Sequence, residues 1–104
     1  MYQTLDAAQL KTLLESDDRP RLIDVRTAGE FARGTIAGAQ HIELATLPAH
    51  VDALDPHAPV VLMCQSGARS AQACALLVQR GFESVYNLGG GLGGWMRAGL
   101  PTAA

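Results

Sequence analysis

Val60-Val61-Leu62-Met63, followed by Cys64-Gln65-Ser66-Gly67-Ala68-Arg69-Ser70, is the stretch on which the reading of this chain turns. The apolar run is short, continuous and opened by two β-branched residues, which reads as a buried strand. Residues 70–80 read as the helix that follows. A cysteine at the end of a core strand, then a small-residue turn, then a helix start, places a thiol before a ring of backbone N–H groups. Such a ring lowers the thiol's pKa and offers an anion a seat, and the thiolate is the nucleophile.

Working outward, the same alternation recurs. Asp6 can cap a helix that carries Leu10, Leu13 and Leu14, with Gln9 three residues on as in a capping box. Residues 16–20 break that pattern, and residues 21–25 read as a short buried strand. Residues 27–34 form a helical turn closed by Gly34, and residues 39–42 a weak strand. Residues 47–54 predict a helix with Pro48 in its first turn. Gly81 ends the helix after the cysteine loop, residues 84–88 give the last strand, Gly89-Gly90-Gly91 a flexible turn, and residues 92–98 a final helix. Strands alternating with helices predict an α/β fold, a mostly parallel sheet with helices on both faces. In such sheets ligands sit at the carboxyl ends of strands.

The totals narrow the function. The 104 residues suit one domain, residues 1–104, and 48% hydrophobic with 17% charged residues is an ordinary globular composition. A net charge of −2 without any basic run argues against nucleic-acid or anionic-membrane partners. The first residues show no signal-peptide pattern and no stretch is long enough to span a bilayer, so the expected location is cytoplasmic. A structural disulfide between Cys64 and Cys74 is not expected in a reducing compartment. No metal-type Cys/His spacing occurs, so no metal is expected.

Cys64 is read as the reactive thiol and Cys74, between two alanines, as a core residue. Arg69 is either a solvated helix residue or a clamp for a bidentate oxyanion. Ser70 either caps the helix or hydrogen-bonds the sulfur. Gln65, Ser66, Gly67 and Ala68 complete the substrate-binding loop. Asp24 and Arg26 read as a structural hydrogen-bond network, and Glu30 as a local cap or partner. His41, His50 and His57 make no Cys–His dyad. Trp95 reads as a core or hinge aromatic, and Phe31 and Phe82 as core.

Three segments together resemble the rhodanese family of sulfurtransferases in its single-domain form. They are residues 22–26 continued by Glu30-Phe31, Gly34, Ile36, Gly38-Ala39 and His41-Ile42; the loop from Cys64 to Ser70; and Leu88-Gly89-Gly90-Gly91 with Gly94-Trp95 and residues 98–101. The resemblance implies a three-layer fold with a central five-stranded parallel sheet. It implies ping-pong chemistry in which a small-molecule donor such as thiosulfate loads Cys64 as a persulfide. A thiophilic acceptor (cyanide, a thiol or a protein) then unloads it. The N–H groups of residues 65–69 would hold the persulfide anion, which needs little else, so the chemistry requires no metal or organic cofactor. Two positions depart from the family: Thr35 stands where histidine is frequent, and Gln65 where a basic residue is common, leaving Arg69 as the loop's only charge.

Two other functions compete. A cysteine phosphatase of the related cell-cycle type uses five residues between cysteine and arginine; here there are four, Gln65 to Ala68. A non-catalytic interaction or sulfur-sensing module is the alternative from another class, but such domains usually lack the cysteine.

Overall fold

The computed structural model describes residues 1–104. Five strands, β1 (Gln3–Leu5), β2 (Arg21–Asp24), β3 (Gln40–His41), β4 (Val60–Met63) and β5 (Val85–Leu88), form one sheet in the order β1-β5-β4-β2-β3. Every pairing is parallel. The helices are α1 (Ala7–Leu14), α2 (Ala28–Ala32), α3 (Leu47–His50), α4 (Ala68–Gln79) and α5 (Gly91–Arg97).

The alternation of side chains along each strand splits the core in two. Ile23, Val60, Leu62 and Val85 face one way and pack with Leu47 and Val51 beside α3 and with Ala73, Cys74 and Leu77 of α4. Leu22, Val61, Met63 and Leu88 face the other way and pack with Leu10 of α1 and with Leu92 and Trp95 of α5. β4 sits at the centre with all four residues buried. This is why it reads as a continuous apolar run rather than an alternating one. From β2 the chain moves outward to β3, and from β4 the opposite way to β5, so the strand order reverses between β2 and β4. The loop after β4 opens at that reversal.

The capping box at α1 is present, with Asp6 accepting from the Gln9 N–H at 2.8 Å and Gln9 returning to the Asp6 N–H at 2.9 Å. Four details differ from expectation. β1 was not legible, because it is a three-residue edge strand with only Leu5 buried. The expected helix over 47–54 is a succession: a 3-10 turn at Leu44–Thr46, α3, and a second 3-10 turn at Val51–Ala53. Pro48 lacks the N–H that would carry an α-helical ladder back to Leu44. The helix after the cysteine loop begins at Ala68 rather than Ser70, with Gly67 as its N-cap at φ +103°. Phe31 is half-buried and stacks on His41, ring centroids 4.6 Å apart, instead of joining the core.

Candidate active site

β4 ends at Met63 and delivers Cys64 into the turn at the sheet's carboxyl edge. Because α4 begins at Ala68, Ser70 lies in its first turn, where N–H groups have no partner within the helix. One of these, the Ser70 N–H, approaches Cys64 Sγ at 3.4 Å, and the Gly67 N–H approaches it at 3.0 Å. The Ser70 hydroxyl lies 3.4 Å from the same sulfur. Burial pushes the Cys64 thiol up. The Ser70 hydroxyl and the N–H groups of Ser70, Gly67 and Ser66 more than offset it, so the thiol lies below its ordinary value. The donors therefore come from residues 66, 67 and 70 rather than from all of 65–69; the Ala68 N–H turns to the Ser66 hydroxyl at 3.4 Å.

Arg69 is placed differently from a free anion clamp. Its guanidinium grips Glu30 bidentately, Nη1 to Oε1 at 2.7 Å and Nη2 to Oε2 at 2.9 Å, across 39 residues of sequence. Glu30 also closes a capping box with Thr27, so it both caps locally and reaches the loop. The Arg69 hydrogen bonds hold the Glu30 carboxyl down at about 2. Gln65, Ser66 and Ala68 are exposed around the buried sulfur. Gly93 and Gly94 carry no side chains, and the Arg97 guanidinium folds back over them: a Cβ on Gly93 would meet Arg97 Nη1 at 3.2 Å and Gln65 Nε2 at 3.5 Å.

Asp24 and Arg26 form a buried ion pair, with Arg26 Nη2 2.8 Å from Asp24 Oδ2. Arg26 Nη2 also donates to the Gly34 carbonyl at 2.7 Å, and Thr35 donates its hydroxyl to Asp24 Oδ2 at 2.9 Å. His41 bonds the Arg26 carbonyl at 2.7 Å through Nε2. These groups brace the end of β2 beside β4, and the Val25 N–H donates to the Met63 carbonyl at 3.0 Å. Cys74 is buried, and its thiol is pushed up to about 12 by burial and by the charge at Cys64. Trp95 is buried and donates to the Pro101 carbonyl at 2.9 Å. No group of three His, Cys, Asp or Glu side chains is placed to hold a metal ion. No helix is long and apolar enough to cross a membrane.

Two residues of the site escaped the sequence reading. Asn87 of β5 is buried, accepts from the Ser70 hydroxyl at 2.6 Å and donates to the Gly67 carbonyl at 3.1 Å. The available signal was a polar residue inside a core strand. Gly91 lies at φ +57°, and a Cβ there would stand 2.5 Å from both the Cys64 and Gln65 carbonyl oxygens. The glycine run is thus a close approach as well as a turn. It lets the Leu92 N–H reach the Cys64 carbonyl at 2.8 Å and the Gly93 N–H reach the Gln65 carbonyl at 3.1 Å. Gly91→Ala is expected to cost about 1–3 kcal/mol and to slow Cys64 alkylation at neutral pH. Parent-like thermal stability together with a parent-like alkylation rate would refute this account of Gly91.

The profile described as "Rhodanese-like domain" matches residues 6–98. The chain belongs to the rhodanese-like family. It is 38% identical over 104 residues to a sulfurtransferase of Allochromatium vinosum, covering 100% of this chain and 97% of that one. It is 34% identical to the thiosulfate sulfurtransferase GlpE of Pseudomonas aeruginosa, covering 90% of this chain and 84% of the relative. The solution structure of a rhodanese-like domain from an Anabaena protein superposes with a TM-score of 0.90 at 30% identity, covering 100% of this chain and 80% of that one. The rhodanese-like architecture, a five-stranded parallel sheet between helices, is therefore the fold of this chain.

Proposed function

We propose that this rhodanese-like domain is a sulfurtransferase that carries sulfane sulfur on Cys64 as a persulfide, from a donor such as thiosulfate to a thiol, a protein or cyanide. The observation that carries the reading is Cys64 Sγ facing the Gly67 N–H, the Ser70 N–H and the Ser70 hydroxyl at the end of β4. Support for thiosulfate comes from the similarity to the thiosulfate sulfurtransferase GlpE of Pseudomonas aeruginosa. The thiolate electron pair attacks the outer sulfur of thiosulfate; the S–S bond breaks with its pair on the leaving sulfite. The enzyme then holds Cys64–S–S⁻, one S–S bond of about 2 Å farther out than the buried Sγ. A nucleophilic acceptor takes the outer sulfur, and the S–S pair returns to Cys64 as thiolate. The fixed N–H donors meet the charge in both half-reactions without reorganising.

The test is intact mass after incubation with thiosulfate and again after cyanide. A gain of about 32 Da, one sulfur atom, that cyanide removes supports the reading. An unchanged mass with Cys64 still alkylatable overturns thiosulfate as donor.

The Arg69–Glu30 pair sets how the site treats anions. Arg69→Ala leaves the Glu30 carboxylate bare beside the loop, so the KM for dianionic thiosulfate should rise several-fold, and more than the KM for cyanide. Glu30→Gln frees the guanidinium and should lower the thiosulfate KM by a similar factor, each change on the order of 1 kcal/mol. Equal effects on donor and acceptor in steady-state kinetics would exclude this electrostatic role.

A further inference from the structure

Asn87 Nδ2 faces the Gly67 carbonyl at 3.1 Å, and Asn87 Oδ1 faces Ser70 Oγ at 2.6 Å. A carbonyl only accepts, so the amide orientation is settled: its NH2 must point to Gly67 and its oxygen to Ser70. An amide oxygen cannot donate, so the Ser70–Asn87 bond consumes the single hydroxyl proton of Ser70. That same hydroxyl lies 3.4 Å from Cys64 Sγ. One proton is thus shared between two acceptors, both buried with no exposed alternative: Ser70 and Cys64 are each 0% exposed and Asn87 is 7% exposed.

We propose that Asn87 is a positioning residue for sulfur transfer: it holds the Ser70 hydroxyl while Cys64 Sγ is uncharged and yields it to Sγ whenever Sγ carries the negative charge. With a neutral thiol, the hydroxyl donates to Asn87 and its lone pairs can receive the S–H. With a thiolate, the hydroxyl turns to the sulfur, because a charged acceptor outcompetes an amide. In a persulfide the charge has moved to the outer sulfur, and the hydroxyl returns to Asn87. Sγ loses its charge on loading and regains it as the leaving group on unloading, so the hydroxyl switches twice per turnover. No proton is transferred; one hydrogen bond is exchanged for another. Asn87 thereby tunes the basicity of Cys64 both as nucleophile and as leaving group. Its bond to the Gly67 carbonyl fixes the amide in place and keeps that competition geometric.

The charged and titratable groups around Cys64 are few. Arg69 and Cys74 approach from α4. Glu30 of α2 is held on Arg69, and Asp24 with Arg26 lies at the end of β2. From β5 the neighbour is the uncharged Asn87, and from α5 Arg97 lies over the glycine face beside Gln65. None of these is removed by changing Asn87, so the titration of Cys64 reports the shared hydroxyl.

The place of this switch in turnover rests on the persulfide reading, but the test does not. The Cys64 thiol is titrated by thiolate absorbance and by alkylation rate against pH, in a Cys74→Ser background so that one sulfur reports. Asn87→Ala should lower the Cys64 pKa by about half to one unit, the size of one neutral hydrogen bond. In a Ser70→Ala background the same substitution should leave it unmoved, a non-additivity that a purely structural role would not produce. An equal shift in both backgrounds, or none in either, overturns the proposal. A second measurement needs no change at Asn87. Its side-chain amide NMR signals should titrate with the Cys64 midpoint and cease to do so in Ser70→Ala. Signals that stay fixed through that midpoint, or that titrate alike in both proteins, also overturn it. If thiosulfate fails to load the protein while these titrations behave as stated, the donor assignment falls and the role of Asn87 stands.

Discussion

Cys64→Ser should reduce sulfur transfer to the uncatalysed background, a loss of at least about a thousandfold for removal of a covalent nucleophile, while the fold survives. Serine differs from cysteine by one atom, and its hydroxyl can still accept from the Gly67 and Ser70 N–H groups that now face sulfur at 3.0 and 3.4 Å. What disappears is ionisation. The donors around Sγ bring a thiol below its ordinary value, but no such set ionises an alcohol at neutral pH, and an alkoxide forms no stable adduct with sulfane sulfur. The mass gain of about 32 Da should therefore vanish. Cys74 supplies an internal control: it is buried, its thiol is pushed up to about 12, and it faces the Tyr86 carbonyl at 3.5 Å. Cys74→Ser should keep both the mass gain and nearly all turnover. Sulfur uptake by Cys64→Ser protein, or its loss in a well-folded Cys74→Ser protein, would move the chemistry away from Cys64.

Asp24→Ala should produce the largest loss of stability of any single change considered, about 3–5 kcal/mol, because it strands a buried guanidinium. The Arg26 side chain is 4% exposed and that of Asp24 is 0% exposed. Asp24 receives the Arg26 backbone N–H at 3.0 Å, Nε at 3.0 and 3.1 Å, and Nη2 at 2.8 Å. With the carboxylate gone, the Gly34 carbonyl is the remaining partner of that charge, and the Thr35 hydroxyl is left with only the weak acceptor Met63 Sδ at 4.0 Å. Against a total of about 5–15 kcal/mol for a domain of this kind, such a loss leaves a substantial unfolded fraction. In urea the midpoint should fall sharply with the slope unchanged. Replacing both Asp24 and Arg26 by apolar residues of similar volume should recover part of the loss, since the pair's attraction largely offsets its own desolvation. A fall below about 1 kcal/mol for Asp24→Ala would mean that Arg26 reaches solvent, and the pair would then brace nothing.

Much of this protein was legible because it is written in neighbouring residues. Short strand-like segments mark β2 and β5 and a continuous apolar run marks β4; Asp6 with Gln9 marks the start of α1; and a cysteine between the run 60–63 and a small-residue turn marks the candidate reactive loop. These signals are local, since strand burial, helix capping and turn chemistry depend on residues within about one helical turn of each other. The candidate thiol Cys64 and the parallel sheet follow from them, and the family follows from the resemblance carried by residues 22–42, 64–70 and 88–101. β1 was silent because an edge strand with one buried residue carries no periodicity.

The arrangement of the site is another matter. The grip of Arg69 on Glu30, the seat of Asn87 between Ser70 and Gly67, and the approach of Gly91 to the Cys64 and Gln65 carbonyls each join segments 17 to 39 residues apart. Their sequences specify a capping glutamate, a polar residue in an apolar strand and a run of glycines, and each of those has an ordinary local use. Only the parallel crossovers, which return β5 to the side of β4 and bring α2 against the loop, gather them around the one loop that holds Cys64. The sequence alone thus singled out Cys64 Sγ as the proposed nucleophile. The tertiary structure decided how its charge is balanced, because electrostatics and hydrogen bonding act through distance in space rather than distance along the chain.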